Sequence, residues 1–292
     1  MACALFVIDG GRYPLTTVCR VLGVARSNIA HRRARGAHWR DRRGRPANHD
    51  PQVIDQLREL ASARPTYGYR RLWALLRRAR RESGQSPVNA KRVYRIAKAE
   101  KLLLQRYTGS PPVRTHEGTI AVERSDMRYC SDGFEIGCDN GERVRVSFSL
   151  DCCDRQAIAF AATTAGISGE IVRDVMVQTL TARFGEVPEM PNPAEWLSDN
   201  GSGYIARDTR AFASDIGLLP RRTPYRSPQS NGMAESFVKT MKRDYVSINQ
   251  TPNAVTVLNR LGDWFADYNL VHPHSSLGYR SPQEFRKDQA GP

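Results

Sequence analysis

The sequence predicts two unlike regions: an all-α front part of helix-turn-helix character, then an α/β body whose mixed five-stranded sheet carries flanking helices. Three observations lead there. Positive charge is gathered at one end: residues 1–114 hold 25 Lys+Arg against 7 Asp+Glu, whereas residues 115–292 hold 19 against 23. Apolar residues recur at helical spacing in the first region and alternate at strand spacing beyond it. Between the two lies a Pro/Gly-rich stretch, Thr108 to Gly118, which reads as a linker. With 292 residues, 40% apolar and 25% charged, the chain is globular rather than disordered and suits about two domains.

The basic end predicts a polyanion-binding module, because Lys and Arg that displace counterions from phosphates supply sequence-independent affinity for nucleic acid. No run approaches the roughly 18 apolar residues of a membrane span. The short apolar start lacks a preceding cation and meets Asp9, so it reads as neither signal peptide nor anchor. Six cysteines at 3, 19, 130, 138, 152 and 153 form no C-x-x-C pair or Cys/His cluster. They predict small core residues in a reducing compartment rather than a zinc finger or disulfide scaffold.

In the front part, residues 1–48 predict a helix over 15–22, a turn at Gly23-Val-Ala25 and a second helix over 26–33, followed by a basic linker. That is the helix-turn-helix pattern, whose second helix enters a major groove. Residues 49–107 predict a second helical DNA-binding domain with helices over 52–63, 67–78 and 90–98. In the middle helix Leu72, Leu75 and Leu76 point inward and Arg70, Arg71, Arg77 and Arg78 outward. Asn89 is a good N-cap for the third. Arg70, Arg71, Lys91, Arg92 and Arg95 are the candidate DNA contacts here.

The body spans 119–286, with 287–292 as a tail. Strands are predicted over 127–137 and 143–150, joined through Asp139-Asn-Gly141, and over 155–162, 194–198 and 218–222. Helices are predicted over 168–184, with Ser168 as cap, and over 208–216, 231–248 and 255–268. His272 and His274, around Pro273, suit a surface turn and a structural or DNA-proximal role rather than metal ligation.

Three carboxylates carry the chemistry. Asp132 lies inside the first strand, Asp199 at the C-terminal end of the fourth, where open α/β sheets place ligands, and Glu235 on a helix after a Gly-bearing loop. Converging acids repel and raise each other's pKa. They make sense around divalent cations: Mg²⁺ is held by carboxylates and phosphate oxygens, and two such ions serve phosphodiester cleavage. On the same helix Glu235, Lys239 and Lys242 fall within about 60° of arc, which would set a metal ligand beside phosphate contacts.

Seven stretches then resemble one family. They are Thr66-Tyr-Gly-Tyr-Arg-Arg, Val88-Asn-Ala-Lys-Arg-Val-Tyr-Arg, Cys130-Ser-Asp-Gly-Phe, Leu150-Asp-Cys-Cys-Asp-Arg, Trp196-Leu-Ser-Asp-Asn-Gly-Ser, Arg226-Ser-Pro-Gln-Ser-Asn-Gly-Met-Ala-Glu-Ser-Phe and His272-Pro-His-Ser-Ser-Leu-Gly-Tyr-Arg-Ser-Pro. Together they resemble the OrfB-type DDE transposases of bacterial insertion sequences, in the IS-three family and its IS-two subgroup. The resemblance implies an RNase H-like, integrase-type core with Asp132, Asp199 and Glu235 as catalytic acids holding two Mg²⁺ ions, which Mn²⁺ can replace. It also implies Lys242 as the basic residue seven positions after the last acid. Element terminal repeats and target DNA would be the substrates, cut by water and then joined through the freed 3′-hydroxyl. A homo-oligomer on DNA, an OrfA partner or an OrfA–OrfB fusion, and a cytoplasmic, nucleoid-associated location follow from the same likeness. Tyr129 and Ser131 depart from it, since most wider relatives carry Trp and Thr there, and the OrfA segment has no counterpart. On residues alone, a non-catalytic DNA-binding regulator and an RNase H-like nuclease without strand transfer remain the alternatives.

Overall fold

The computed structural model describes residues 5–8, 11–35, 50–105, 122–186, 190–199, 201–222 and 232–290. The 108–118 linker, most of the 40–51 linker and the 226–231 loop lie outside them. The chain divides into two compact units, residues 1–50 and 51–292. In the first, strands β1 (Leu5–Ile8) and β2 (Gly11–Pro14) pair as an antiparallel hairpin that the sequence reading did not foresee. Helices α1 (Leu15–Val21) and α2 (Arg26–Arg33) follow as predicted, separated at Gly23, whose φ of +62° suits glycine.

The second unit opens with α3 (Pro51–Ala63), α4 (Tyr69–Glu82) and α5 (Ala90–Ala99). Val53, Leu57, Leu72, Leu75, Leu76, Val93 and Ile96 bury one face of each helix in a shared core. Asn89 caps α5, accepting from the Lys91 N–H at 2.8 Å. Helix α4 starts two residues later than predicted, because Tyr67 is buried and Gly68 is extended (φ −69°, ψ 161°).

The sheet runs in the order β5-β4-β3-β6-β7, from β3 (Arg128–Gly137), β4 (Arg143–Asp151), β5 (Ala157–Thr163), β6 (Ala194–Ser198) and β7 (Leu218–Arg222). Strands β3, β4 and β5 are antiparallel neighbours, and β3–β6 and β6–β7 are parallel, so the sheet is mixed as expected. Helix α6 (Gly169–Phe184), capped by Ser168, packs on one face with α8 (Arg207–Asp215) around Trp196, Val172, Val175 and Met176. Helices α9 (Gly232–Asp244) and α10 (Ala254–Leu270) cover the other face around Phe148, Phe237, Leu261 and Phe265. A four-residue helix, α7 (Ser202–Ile205), precedes α8, and α11 (Pro282–Ala290) ends the described chain.

Several expectations are corrected. Helix α9 stops at Asp244 rather than 248. Tyr245 leaves the helical region (φ −124°, ψ −58°) as its hydroxyl donates to Asp267 at 2.9 Å, and residues 246–248 form a 3₁₀ turn. The 287–292 tail is helical through Ala290. Ser281 and Glu284 form a reciprocal capping box there, with Ser281 N to Glu284 Oε2 at 2.9 Å and Glu284 N to Ser281 Oγ at 3.2 Å. His272 does not sit in a surface turn. It is buried, and its Nδ1 lies 2.9 Å from the Tyr67 hydroxyl.

Nor do Arg71 and Arg78 point to solvent. The three-helix domain is pinned to the sheet domain by guanidinium–carboxylate pairs. Arg64 grips Asp267 with two bonds, Arg71 reaches Asp244 at 2.8 Å, and Arg78 pairs with Glu284. Asp244, whose side chain is 1% exposed, also takes two bonds from Arg243. Burial alone would raise the Asp244 carboxyl, but the Arg243 hydrogen bonds and the Arg71 charge hold it below the usual range. Asp244→Ala would leave Arg71 and Arg243 facing each other without a counter-charge. We expect a loss of roughly 3 kcal/mol in urea unfolding, the scale for breaking a buried pair; a loss under about 1 kcal/mol would refute the pinning role.

The buried histidines give a second expectation. Burial, with the charges of Arg155 and Arg71, pushes His274 down to about 3. Burial, then His274, Arg71, Arg243 and Arg64, does the same in direction to His272, beside Asp244 at 3.8 Å. Both rings stay neutral in the folded chain while the unfolded chain takes up protons below its pKa of about 6.5, so acidification favours unfolding. Replacing His274 by Asn should shrink the stability difference between about pH 7 and pH 5.5 by about 1 kcal/mol. An unchanged difference in denaturant titrations would contradict a neutral buried ring.

Candidate active site

The first two acids are brought together by strand register. Strand β3 pairs in parallel with β6 through Ser131↔Ser198; Asp132 is the next residue of β3, and Asp199 follows directly on the last residue of β6. Adjacent strands lie about 4.8 Å apart, so the two carboxylates are neighbours. Each is steadied by a backbone amide: Gly133 N–H donates to Asp132 Oδ1 at 2.7 Å, and Gly201 N–H to Asp199 Oδ1 at 2.9 Å. Both acids line one cleft of about 440 Å³ with Gly133, Ile167, Gly203 and Tyr204. Glycine suits its wall, since a Cβ at Gly203 would lie 3.2 Å from the Ile167 and Ser168 carbonyl oxygens.

Asp132 is half-buried, and its carboxyl is pushed up to about 6. Burial is the main cause, the Gly133 hydrogen bond works against it, and the negative charges of Asp199 and Glu235 add to it. Glu235, in the first turn of α9, therefore acts on the same site electrostatically. It does not line the cleft; its Oε2 lies 3.5 Å from Lys239 Nζ. Among the described residues, no three His, Cys, Asp or Glu side chains stand close enough to enclose a metal ion. What the fold presents is two adjacent acids and a third on the neighbouring helix.

The donor set fits a hard divalent cation. It is all oxygen, and among the described residues no Lys or Arg pairs with Asp132 or Asp199. Below the cleft the Tyr204 hydroxyl lies 2.9 Å from Ser147 Oγ and 3.2 Å from Ser131 Oγ. The sequence reading missed Tyr204, although its position soon after Asp199, in Gly201-Ser-Gly-Tyr, was a signal.

The predicted DNA contacts divide. Lys91 and Arg95 share the exposed face of α5, with Arg95 Nε donating to the Lys91 carbonyl at 3.2 Å, and Arg92 is half-buried beside them. Lys239 and Lys242 are exposed on α9, and Arg70 is exposed on α4 against Tyr69. Arg71 is committed to a buried carboxylate inside the protein, Asp244.

Comparison with known proteins agrees with this architecture. An HTH-like domain matches residues 49–108, and integrase core domains match residues 123–228 and 217–282. The transposase InsD for insertion element IS2A/D/F/H/I/K of Escherichia coli is 49% identical over 278 residues, covering 94% of this chain and 92% of that one. InsD for insertion element IS2-9 of Escherichia coli K12 is likewise 49% identical, covering 94% of this chain and 90% of that one. Among solved structures, a chain of a simian T-cell lymphotropic virus intasome in complex with the PP2A regulatory subunit B56 gamma aligns with a TM-score of 0.46 at 14% identity, covering 78% of this chain and 73% of that one. Near-full-length identity of this order, with a helix-turn-helix-like domain ahead of an integrase core, means that the chain belongs to the IS-two-type transposases of the IS-three family, polynucleotidyl transferases with an RNase H-like fold.

Proposed function

We propose that this chain binds the terminal repeats of its insertion sequence and carries out strand cleavage and strand transfer at Asp132, Asp199 and Glu235, with two Mg²⁺ ions. The observation that supports it best is the β3–β6 register, which sets Asp132 beside Asp199. Bound there, divalent cations would lower the charge of the phosphodiester and activate the attacking oxygen. Asp132 and Asp199 would hold them from the sheet, with backbone amides fixing both carboxylates. Glu235 would complete the set from α9. Its pair with Lys239, whose side chain is 76% exposed, holds it weakly, since exposed pairs contribute about 0–1 kcal/mol. Lys239 and Lys242 would then lie along the DNA backbone.

Lys91, Arg92 and Arg95 on α5 and Arg70 on α4 would meet duplex DNA, the first three as the outer face of a recognition helix. Arg71 contributes by holding that domain on the core. Work on two element ends and a target implies a homo-oligomer on DNA, with an OrfA partner or fusion supplying further end recognition, in the bacterial cytoplasm. Among the described residues no helix is long and apolar enough to cross a membrane.

Asp199→Asn and Glu235→Gln should each abolish Mg²⁺-dependent nicking and joining of a labelled terminal repeat while leaving repeat binding intact. Cleavage at the normal rate by either would overturn the site; cleavage by the wild type without joining would make it a nuclease instead. Lys91→Ala and Arg95→Ala should each weaken binding and reduce the slope of log affinity against log salt by about 1. An unchanged slope would take α5 off the DNA.

A further inference from the structure

A second cavity, of about 580 Å³, lies where the three-helix domain meets the sheet domain and shares no lining residue with the acidic cleft. It falls in the size range that encloses a small molecule. Arg70 and Arg71 line it from α4, Arg243 from α9, and Arg155 from the β4–β5 turn. Asp244 answers two of these, Arg71 and Arg243. Among the described residues no carboxylate pairs with Arg70 or Arg155. The acids nearest Arg155 in sequence are spent elsewhere: Asp154 on Arg183, and Asp151 on the amides of Asp126, Cys153 and Asp154. Arg155 Nε and His274 Nε2 are both buried without a hydrogen-bond partner, and both residues line the cavity. The Arg155 Nε–H is always a donor, and an unpaired buried donor is costly, so it calls for an acceptor from outside the chain.

Backbone strain gathers at the same place. Among the described residues four non-glycine positions have positive φ, and two of them, Arg155 (63°) and Tyr279 (64°), line this cavity. Such residues persist where their side chains are needed in a fixed position. Tyr279 is braced edge-on by Trp73 at 5.8 Å, and Tyr69, also lining the cavity, by Tyr94 at 5.0 Å. Guanidinium groups with no carboxylate partner among the described residues, such as Arg70, whose Nε donates to the Tyr69 hydroxyl at 3.2 Å, stand here beside braced aromatic rings. That is the chemistry that takes a phosphate with an attached base. Ser236, adjacent to Glu235 on α9, is part of the wall.

We infer that this cavity seats one unpaired nucleotide of a DNA strand, its phosphate on Arg155 and Arg70 and its base against Tyr69 or Tyr279. The inference rests on the strand-transfer reading, since that chemistry brings frayed strand ends to this helix. The test is anisotropy of a fluorescein-labelled single-stranded oligodeoxynucleotide, and of the same strand as duplex, with full-length protein in EDTA. Arg155→Asn and Tyr279→Asn are suitable variants, because Asn tolerates positive φ, and a thermal melt checks that each stays folded. Each should bind the single strand about ten-fold more weakly with duplex affinity unchanged. Variants that melt as the wild type does and bind the single strand equally well would overturn the pocket alone. Wild-type protein that binds neither DNA would sink the strand-transfer reading together with it. Displacement of the strand by dAMP at equal affinity would make this a free-nucleotide site and overturn the assignment to DNA.

Discussion

The parallel pairing of β3 with β6 is the constraint on which the candidate site depends. Two carboxylates on adjacent strands repel each other, and neither would take that position for its own sake. They are held there because the strands carrying them are fixed by packing on both faces, with Phe148 and Phe237 on one side and Trp196 and Val175 on the other. Register leaves little freedom, since a one-residue slip would exchange the two faces of the strand. Beneath the acids the sheet carries Ser131, Ser147 and Ser149, each hydrogen-bonded, the last to Thr179 at 2.6 Å. A satisfied polar layer of this kind specifies one arrangement, since any other would strand its donors and acceptors.

The second organising feature is the docking of the helical domain. Asp267 receives Arg64 and the Tyr245 hydroxyl, and Asp244 receives Arg71 and Arg243. Tyr67 and His272 sit between these pairs in aromatic and hydrogen-bonded contact. Charge pairs of this kind add little net stability over apolar contacts, but they penalise misplacement heavily because a displaced partner is left charged and unpaired. The arginines of the basic half therefore serve two ends. Arg64, Arg71 and Arg78 position the domain, whereas Lys91 and Arg95 stay exposed on α5. Net charge alone overstates the DNA-facing surface.

Much of this was legible in the sequence because the signals are local. Alternation gave five strands, the N-caps Asn89 and Ser168 marked helix starts within a residue, and Asp199 stood at a strand end as read. What escaped depends on partners far along the chain. Arg71 looks like any solvent-facing cation until Asp244, 173 residues away, is folded against it. His272 and His274 sit in a Pro-containing segment that reads as surface, yet the docked helices bury it. Tyr245 fits the apolar stripe of α9, but its hydroxyl is drawn to Asp267 and the helix ends. The Ser281–Glu284 capping box was a local signal, present in the sequence and passed over.

The incomplete convergence of the three acids follows from the same electrostatics. Asp132, half-buried and next to Asp199, already holds its proton more tightly than an ordinary carboxyl. Drawing Glu235 into that cleft would add a third negative charge to a site of low dielectric, and the cost rises as the distance shrinks. A fold can fix two acids by strand register, because the backbone spacing is set by the sheet. The third comes from a helix whose side chain has rotamers to spare and an exposed lysine to pair with in the meantime. A cation bound among them would reverse the sign of the interaction for all three acids at once, and the Glu235–Lys239 pair is too exposed to offer much resistance. The spacing of Asp132 and Asp199 belongs to the sheet, whereas any closer approach of Glu235 would have to be driven by an added positive charge.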